Sequence, residues 1–133
     1  MGYRNPDYEN VPDDWWSCGY CSIFANALRE RFGLPIYAIV EEAVKDGDQT
    51  LVHAVGLKGG LAYDAGGARP IAEVMNAYEP GIYYPNEESR IRLLKMSLRR
   101  LDEIHDVDLR ATYEAHRYIE RHPQLFKSLV PRA

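Results

Sequence analysis

The sequence predicts an α+β fold, and three stretches carry that expectation. Phe24, Ala25, Leu28 and Phe32 recur at helical spacing over residues 21–32. Residues 34–40 (Leu-Pro-Ile-Tyr-Ala-Ile-Val) are rich in β-branched and aromatic side chains, the composition of a strand. Residues 51–57 and 61–63 then flank Lys58-Gly59-Gly60, which suits a tight hairpin. A helix followed at once by strands on short turns packs that helix on a small antiparallel sheet.

Each element has local reasons. Residues 1–17 are polar and interrupted by Pro6 and Pro12, an irregular lead-in that closes on Trp15 and Trp16. Ser17 is placed to cap the first helix and Gly33 to end it, with Asn26, Arg29, Glu30 and Arg31 on its polar face. Lys45-Asp46-Gly47-Asp48 forms a polar loop after the first strand. Gly66-Gly67-Ala68-Arg69-Pro70 interrupts regular structure, 71–78 reads as a short helix and 81–85 as a turn. Residues 91–101 suit either helix or strand, with helix preferred. Residues 108–121 make a better one, with Leu109, Tyr113 and His116 or Arg117 stacking toward Ile119, and Pro123 permits a last turn through Leu129.

Size and charge exclude several classes. With 133 residues, 46 % apolar and 27 % charged, residues 1–133 are expected to form one domain with a sizeable core. No apolar run approaches the ~20 residues needed to span a bilayer, and the first residues lack an apolar signal core. The expectation is a cytoplasmic protein without a membrane partner. Residues 1–84 carry 6 Lys/Arg against 12 Asp/Glu, and residues 85–133 carry 10 against 8. The basic run Arg90, Arg92, Lys95, Arg99 and Arg100 reads as a solvated face, since a nucleic-acid footprint needs a denser patch. No nucleic-acid partner is expected.

The chemistry centres on Cys21. Cys18 and Cys21 are the two cysteines, too close for a disulfide framework and of the type used in catalysis, redox chemistry or metal binding. A thiol becomes a nucleophile as its thiolate, and the first turn of a helix favours that anion through unpaired N–H groups and the dipole. The same N–H groups can receive the oxyanion of a tetrahedral intermediate. His53 and Asp64 lie on the two arms of the hairpin. A two- or four-residue loop around Lys58-Gly59 pairs Val55 with Ala62 and His53 with Asp64, within reach of an imidazole–carboxylate bond. A three-residue loop would put them on opposite faces. That places Cys21 as nucleophile, His53 as proton shuttle and Asp64 as the group orienting the ring.

These residues resemble a family. Cys18-Gly-Tyr-Cys21-Ser-Ile-Phe-Ala is similar to the block that carries the nucleophile of papain-like cysteine peptidases, with Cys21 on the nucleophile. The cysteine helix, followed by His53-Ala-Val-Gly and Gly60-Leu-Ala-Tyr-Asp64, resembles small bacterial and phage papain-fold or transglutaminase-like hydrolases. The likeness spans about residues 15–68. It implies a papain-like core, an N-terminal nucleophile helix on a small antiparallel sheet, C-terminal helices, and amide-bond chemistry on a protein or peptide substrate without metal or organic cofactor. Papain-like peptidases place Gln six residues before the nucleophile; here Trp15 stands there, and Ser22 replaces the aromatic that follows the nucleophile. Trp15, Trp16 and Tyr20 are therefore the candidate oxyanion donors or groove-wall residues.

Other readings stay open at this level. Cys21 also suits a buried small hydrophobe, His53 a satisfied core histidine, and Asp64 a turn residue bonding its own backbone. Trp16-Ser17-Cys18-Gly19-Tyr20-Cys21 has features of a thiol–disulfide motif, though a Ser separates Trp from the first Cys. Cys18 and Cys21 with distant histidines would make a zinc site, and a non-catalytic interaction domain of the same fold is the third alternative. His105, His116 and His122 read as surface residues.

Overall fold

The computed structural model describes residues 20–99 and 108–132. Among them are three α-helices and a five-stranded sheet in which every neighbouring pair runs antiparallel, so the α+β class holds. Helix α1 (Cys21–Phe32) has the predicted bounds and ends on Gly33, whose φ of 72° and N–H bond to Arg29 O close the last turn. Strands β1 (Ile36–Ala43), β2 (Gln49–Lys58), β3 (Leu61–Asp64) and β4 (Gly67–Pro70) follow, then helix α2 (Ile71–Asn76), β5 (Ser89–Lys95), helix α3 (Leu109–Arg121) and a 3-10 turn (Pro123–Leu125). The sheet order is β4-β3-β2-β1-β5. No helix among the described residues is long and apolar enough to cross a membrane.

The sheet is covered on two faces. On one, α1 packs with α3, joining Phe24, Leu28, Tyr63, Ala115, Tyr118 and Phe126 in the main core. Phe24 meets Tyr118 edge-on at 5.4 Å between ring centroids. On the other, Ile39, Val55 and Ala62 pack against Val74 of α2. The C-terminal turn ties back to the sheet through Tyr63 Oη and Ser128 Oγ at 2.9 Å, while Tyr118 Oη donates to Ala65 O at 2.7 Å.

Several expectations fail for identifiable reasons. Residues 89–95 form β5, not a helix: Ile91 and Leu93 pack toward the Ile39 core while Arg90 and Arg92 reach Glu42 on β1. That alternation is the period of a strand. Residues 67–70 form a strand because Gly67 and Ala68 pair with Asp64 and Tyr63 across a tight turn. On α3 the buried stripe is Ala111, Ala115, Tyr118 and Ile119, whereas Leu109 and Tyr113 are exposed. Asp108 sets that phase by accepting the Ala111 N–H at 2.9 Å. Finally, Asn26 is buried, its Oδ1 accepting from Arg29 Nε at 2.8 Å, rather than facing water. Helix α2 ends at Asn76, and His116, expected at the surface, is half-buried against Glu30 of α1 at 2.9 Å.

Gly56 of β2 lies directly against Leu34, the residue that links α1 to β1. A Cβ at position 56 would lie 2.7 Å from Leu34 Cδ1 and 3.3 Å from its Cβ, and Leu34 is itself buried. Gly56→Ala is expected to destabilise the protein by about 1–3 kcal/mol through overpacking, measured by urea denaturation. An unchanged midpoint would show that Leu34 moves aside freely.

Candidate active site

The site begins where α1 begins. Cys21 is a free thiol at the first helical position, buried with Ala25, Ile36 and Ala54. Tyr20 occupies the N-cap but its side chain makes no capping bond, and the first turn carries no acidic residue. Among the described residues no acidic side chain of the first turn meets the positive helix end, an environment that favours the anionic form of a thiol placed there.

His53 is positioned by an irregularity in β2. Ile39 of β1 pairs with His53 but the next residue, Val40, pairs with Leu51, so Val52 is an extra residue and the ladder bulges there. A bulge bends its strand and re-aims the adjacent side chain. The imidazole is buried, with its ring centroid 6.2 Å from that of Tyr78 beyond α2.

The hairpin register differs from the predicted one while preserving its consequence. Gly59 and Gly60 alone form the turn, both with positive φ (58° and 78°), the conformation that suits a two-residue hairpin. Gly56 therefore pairs with Tyr63 and Leu57 with Ala62, which sets His53 diagonal to Asp64 instead of directly opposite. A shift by an even number of residues keeps both on one face. The longer diagonal is bridged by the side chains: His53 Nε2 lies 2.9 Å from Asp64 Oδ2.

Asp64 is held from three sides. Its Oδ2 also accepts from Arg69 Nη2 of β4 at 2.8 Å, and its Oδ1 accepts the Gly66 N–H at 2.9 Å. The turn role and the histidine contact, which the sequence offers as alternatives, are both filled by the one carboxylate. Burial alone would raise its pKa; the bonds from His53 and Gly66 and the charges of His53 and Arg69 hold it below the ordinary 3.8. For His53, burial disfavours the charged ring, yet the hydrogen bond to Asp64 and the proximity of Cys21 and Asp64 override this and raise the pKa from 6.5 to about 9.

With Nε2 engaged by Asp64, the free nitrogen is decisive. His53 Nδ1 is buried and has no hydrogen-bond partner among the described residues, although the Cys21 thiol is close enough to hold the ring's charge. An unsatisfied buried donor costs about 1–3 kcal/mol. The imidazole and the thiol are neighbours with no hydrogen bond formed between them.

Arg69, Tyr78 and Glu41 were not anticipated. Arg69 follows a Gly-Gly turn and has no local mark of its carboxylate partner. The Tyr78 phenol is pushed above its ordinary 10.0 by burial and by the nearby Cys21 and Asp64 charges, so it remains a neutral donor beside the imidazole. Glu41 is fully buried in β1 and accepts from Gly81 N, Tyr83 N and Ser89 Oγ at 2.8, 3.0 and 2.6 Å, fastening the loop that follows Tyr78. Those three donors outweigh burial and keep its pKa below 4.5. Tyr20, expected on a groove wall, is instead buried in the core with Phe24 and Tyr118. Trp15, Trp16, Ser17, Cys18 and His105 lie outside the described residues.

Comparison with protein-family models, with curated proteins and with solved structures found no match.

The His53 charge links stability to pH. Folded His53 keeps its proton to about pH 9, whereas the unfolded ring releases it near 6.5. The stabilisation is complete below pH 6.5 and is lost as pH rises through about 9. Thermal midpoints should therefore fall across that window, and His53→Asn should remove this component of the fall. A His53→Asn profile parallel to wild type would show that another group titrates.

Proposed function

We propose that the chain is a papain-like or transglutaminase-like cysteine hydrolase or acyl transferase acting on amide bonds, working in the reducing cytoplasm. The observation that carries this reading is the arrangement around one imidazole. Its Nε2 is committed to Asp64 while its Nδ1 is buried, unpartnered and beside the thiol that starts α1. A structural histidine would have both nitrogens satisfied or one in water. A lone buried cysteine would not face an imidazolium stabilised by a carboxylate.

The chemistry follows from these positions. The Cys21 thiolate adds to the amide carbonyl, forming a C–S bond and placing negative charge on the oxygen. The Cys21 backbone N–H at the open helix end is the donor placed for that oxygen. His53 then delivers its Nδ1 proton to the leaving nitrogen as the C–N bond breaks, giving a thioester and a free amine. Water, or an acceptor amine in a transferase, attacks the thioester while Nδ1 takes its proton. Collapse releases the acid or the new amide and restores the thiolate. Asp64 keeps the ring oriented and charged, and Arg69 keeps Asp64 in place.

The test is selective alkylation. At pH 6–7, iodoacetamide should label Cys21 at least about tenfold faster than the same residue in the unfolded chain, with the adduct located by mass spectrometry. His53→Ala should remove the excess, and Cys18→Ala should leave it intact. Labelling indifferent to His53 would contradict the reading, and equal sensitivity to Cys18→Ala would favour a dithiol function.

A further inference from the structure

Near the first turn of α1, one face of the sheet carries a groove whose floor includes the buried Ala38 and Val40. The residues of this face come in register from three strands: Leu94, Ala38 and then Arg92, Val40, Leu51 and finally Arg90, Glu42, Gln49. The near part is the groove, of about 460 Å³, which starts at Ser22, the neighbour of Cys21, and has Val40, Leu51 and Leu94 in its lining. Its floor is apolar; its far end is not.

That far end holds two guanidinium groups against one carboxylate. Glu42 Oε1 accepts from Arg90 Nε and Nη2 at 3.0 and 2.8 Å, and Oε2 accepts from Arg92 Nη1 and Gln49 Nε2, both at 2.8 Å. Glu42 is buried and fully engaged, with its pKa drawn down to about 2 by Gln49 and the two arginines. The arginine side chains are 60 % and 40 % exposed and make no other ion pair among the described residues. Glu42 thus acts as a pedestal, fixing two cations whose unused N–H groups face water with one positive charge in excess. Planar, pre-positioned guanidinium groups suit a carboxylate ligand.

We propose that this strip is the substrate groove of the hydrolase and that it selects peptides carrying an acidic residue a short distance from the scissile amide. The assignment rests on Cys21 being the nucleophile. At roughly 3.3 Å per residue, the four residues from Ala38 to Glu42 cover about 13 Å. An extended peptide therefore sets an apolar side chain on Val40, Leu51 and Leu94 and a carboxylate two to four residues from the reacting carbonyl onto Arg90 and Arg92.

The test uses affinity labels on the full chain: N-iodoacetyl peptide amides with Leu first and Glu two, three or four residues from the iodoacetyl group, each matched by a Gln counterpart. One Glu label should alkylate Cys21 about three- to tenfold faster than its Gln partner, an advantage that shrinks with salt because the arginines are exposed. Glu42→Gln/Arg90→Gln/Arg92→Gln should abolish the preference without stranding a buried carboxylate, Arg90→Lys/Arg92→Lys should retain part of it, and both should keep the wild-type rate with plain iodoacetamide. Equal rates for Glu and Gln labels, with iodoacetamide still dependent on His53, overturn the groove and leave the hydrolase reading standing. Loss of His53 dependence for iodoacetamide itself overturns both. A preference that emerges only when Asp13 and Asp14 are replaced by Asn assigns the arginines to the chain's own acidic lead-in, and one that varies with protein concentration assigns them to a second copy; either overturns the substrate assignment.

Discussion

The His53–Asp64 hydrogen bond is the constraint on which the site depends. It joins β2 to β3 at 2.9 Å on a diagonal set by the two-glycine turn, with the β1–β2 bulge at Val52 next to His53 and the β3–β4 turn next to Asp64. Lengthening the hairpin by one residue would carry Asp64 to the other face. Both partners are buried, where a polar contact is strengthened by the low dielectric and an unmet polar group is costly. Much of the architecture around the sheet serves to keep this one contact in geometry. Arg69 and the Gly66 N–H hold the carboxylate, and Tyr118 holds the Ala65 carbonyl beside it.

Two further buried carboxylates do comparable work one strand away. Glu41 and Glu42 are consecutive in β1 and point to opposite faces, and each is satisfied by donors remote in sequence. Glu41 secures the loop that follows Tyr78, whose ring centroid lies 6.2 Å from that of His53. Glu42 gathers Arg90 and Arg92 from β5 and gives the grooved sheet face its charge. A central strand bearing two adjacent buried acids is a poor arrangement for stability alone, because desolvation offsets much of the attraction. It makes sense as positioning, with one acid for each side of the site.

How much was legible in the sequence follows from how local each cause is. Helix α1 could be read because its apolar spacing and Gly33 are local signals, and Cys21 at its start came with it. The pairing of His53 with Asp64 was legible as a same-face relation, since parity survives a shift of two, but its diagonal register was not, because whether the turn centres on Lys58-Gly59 or on Gly59-Gly60 rests on the backbone angles of the two glycines. Strand β5 was misread because Ile91, Leu93 and Leu94 satisfy a helical pattern as well as a strand, and the deciding partner, Glu42, is 48 to 50 residues away. The α3 stripe was misassigned because Leu109 and Tyr113 outrank Ala111 and Ala115 in hydrophobicity, whereas close packing on α1 selects the small side chains. Arg69 and Tyr78 carried no local signal; their roles exist only once β4 and α2 bring them to the hairpin.

The central claim is that His53 is charged and that Cys21 is one of the groups holding the charge. The most direct measurement is an NMR titration of the His53 ring nitrogens in wild type and in Cys21→Ser. The account predicts a doubly protonated ring at neutral pH that titrates near pH 9 in wild type and at a lower pH in Cys21→Ser, with the Asp64 contact retained in both. A neutral His53 at pH 7, or a titration unchanged by Cys21→Ser, would contradict it.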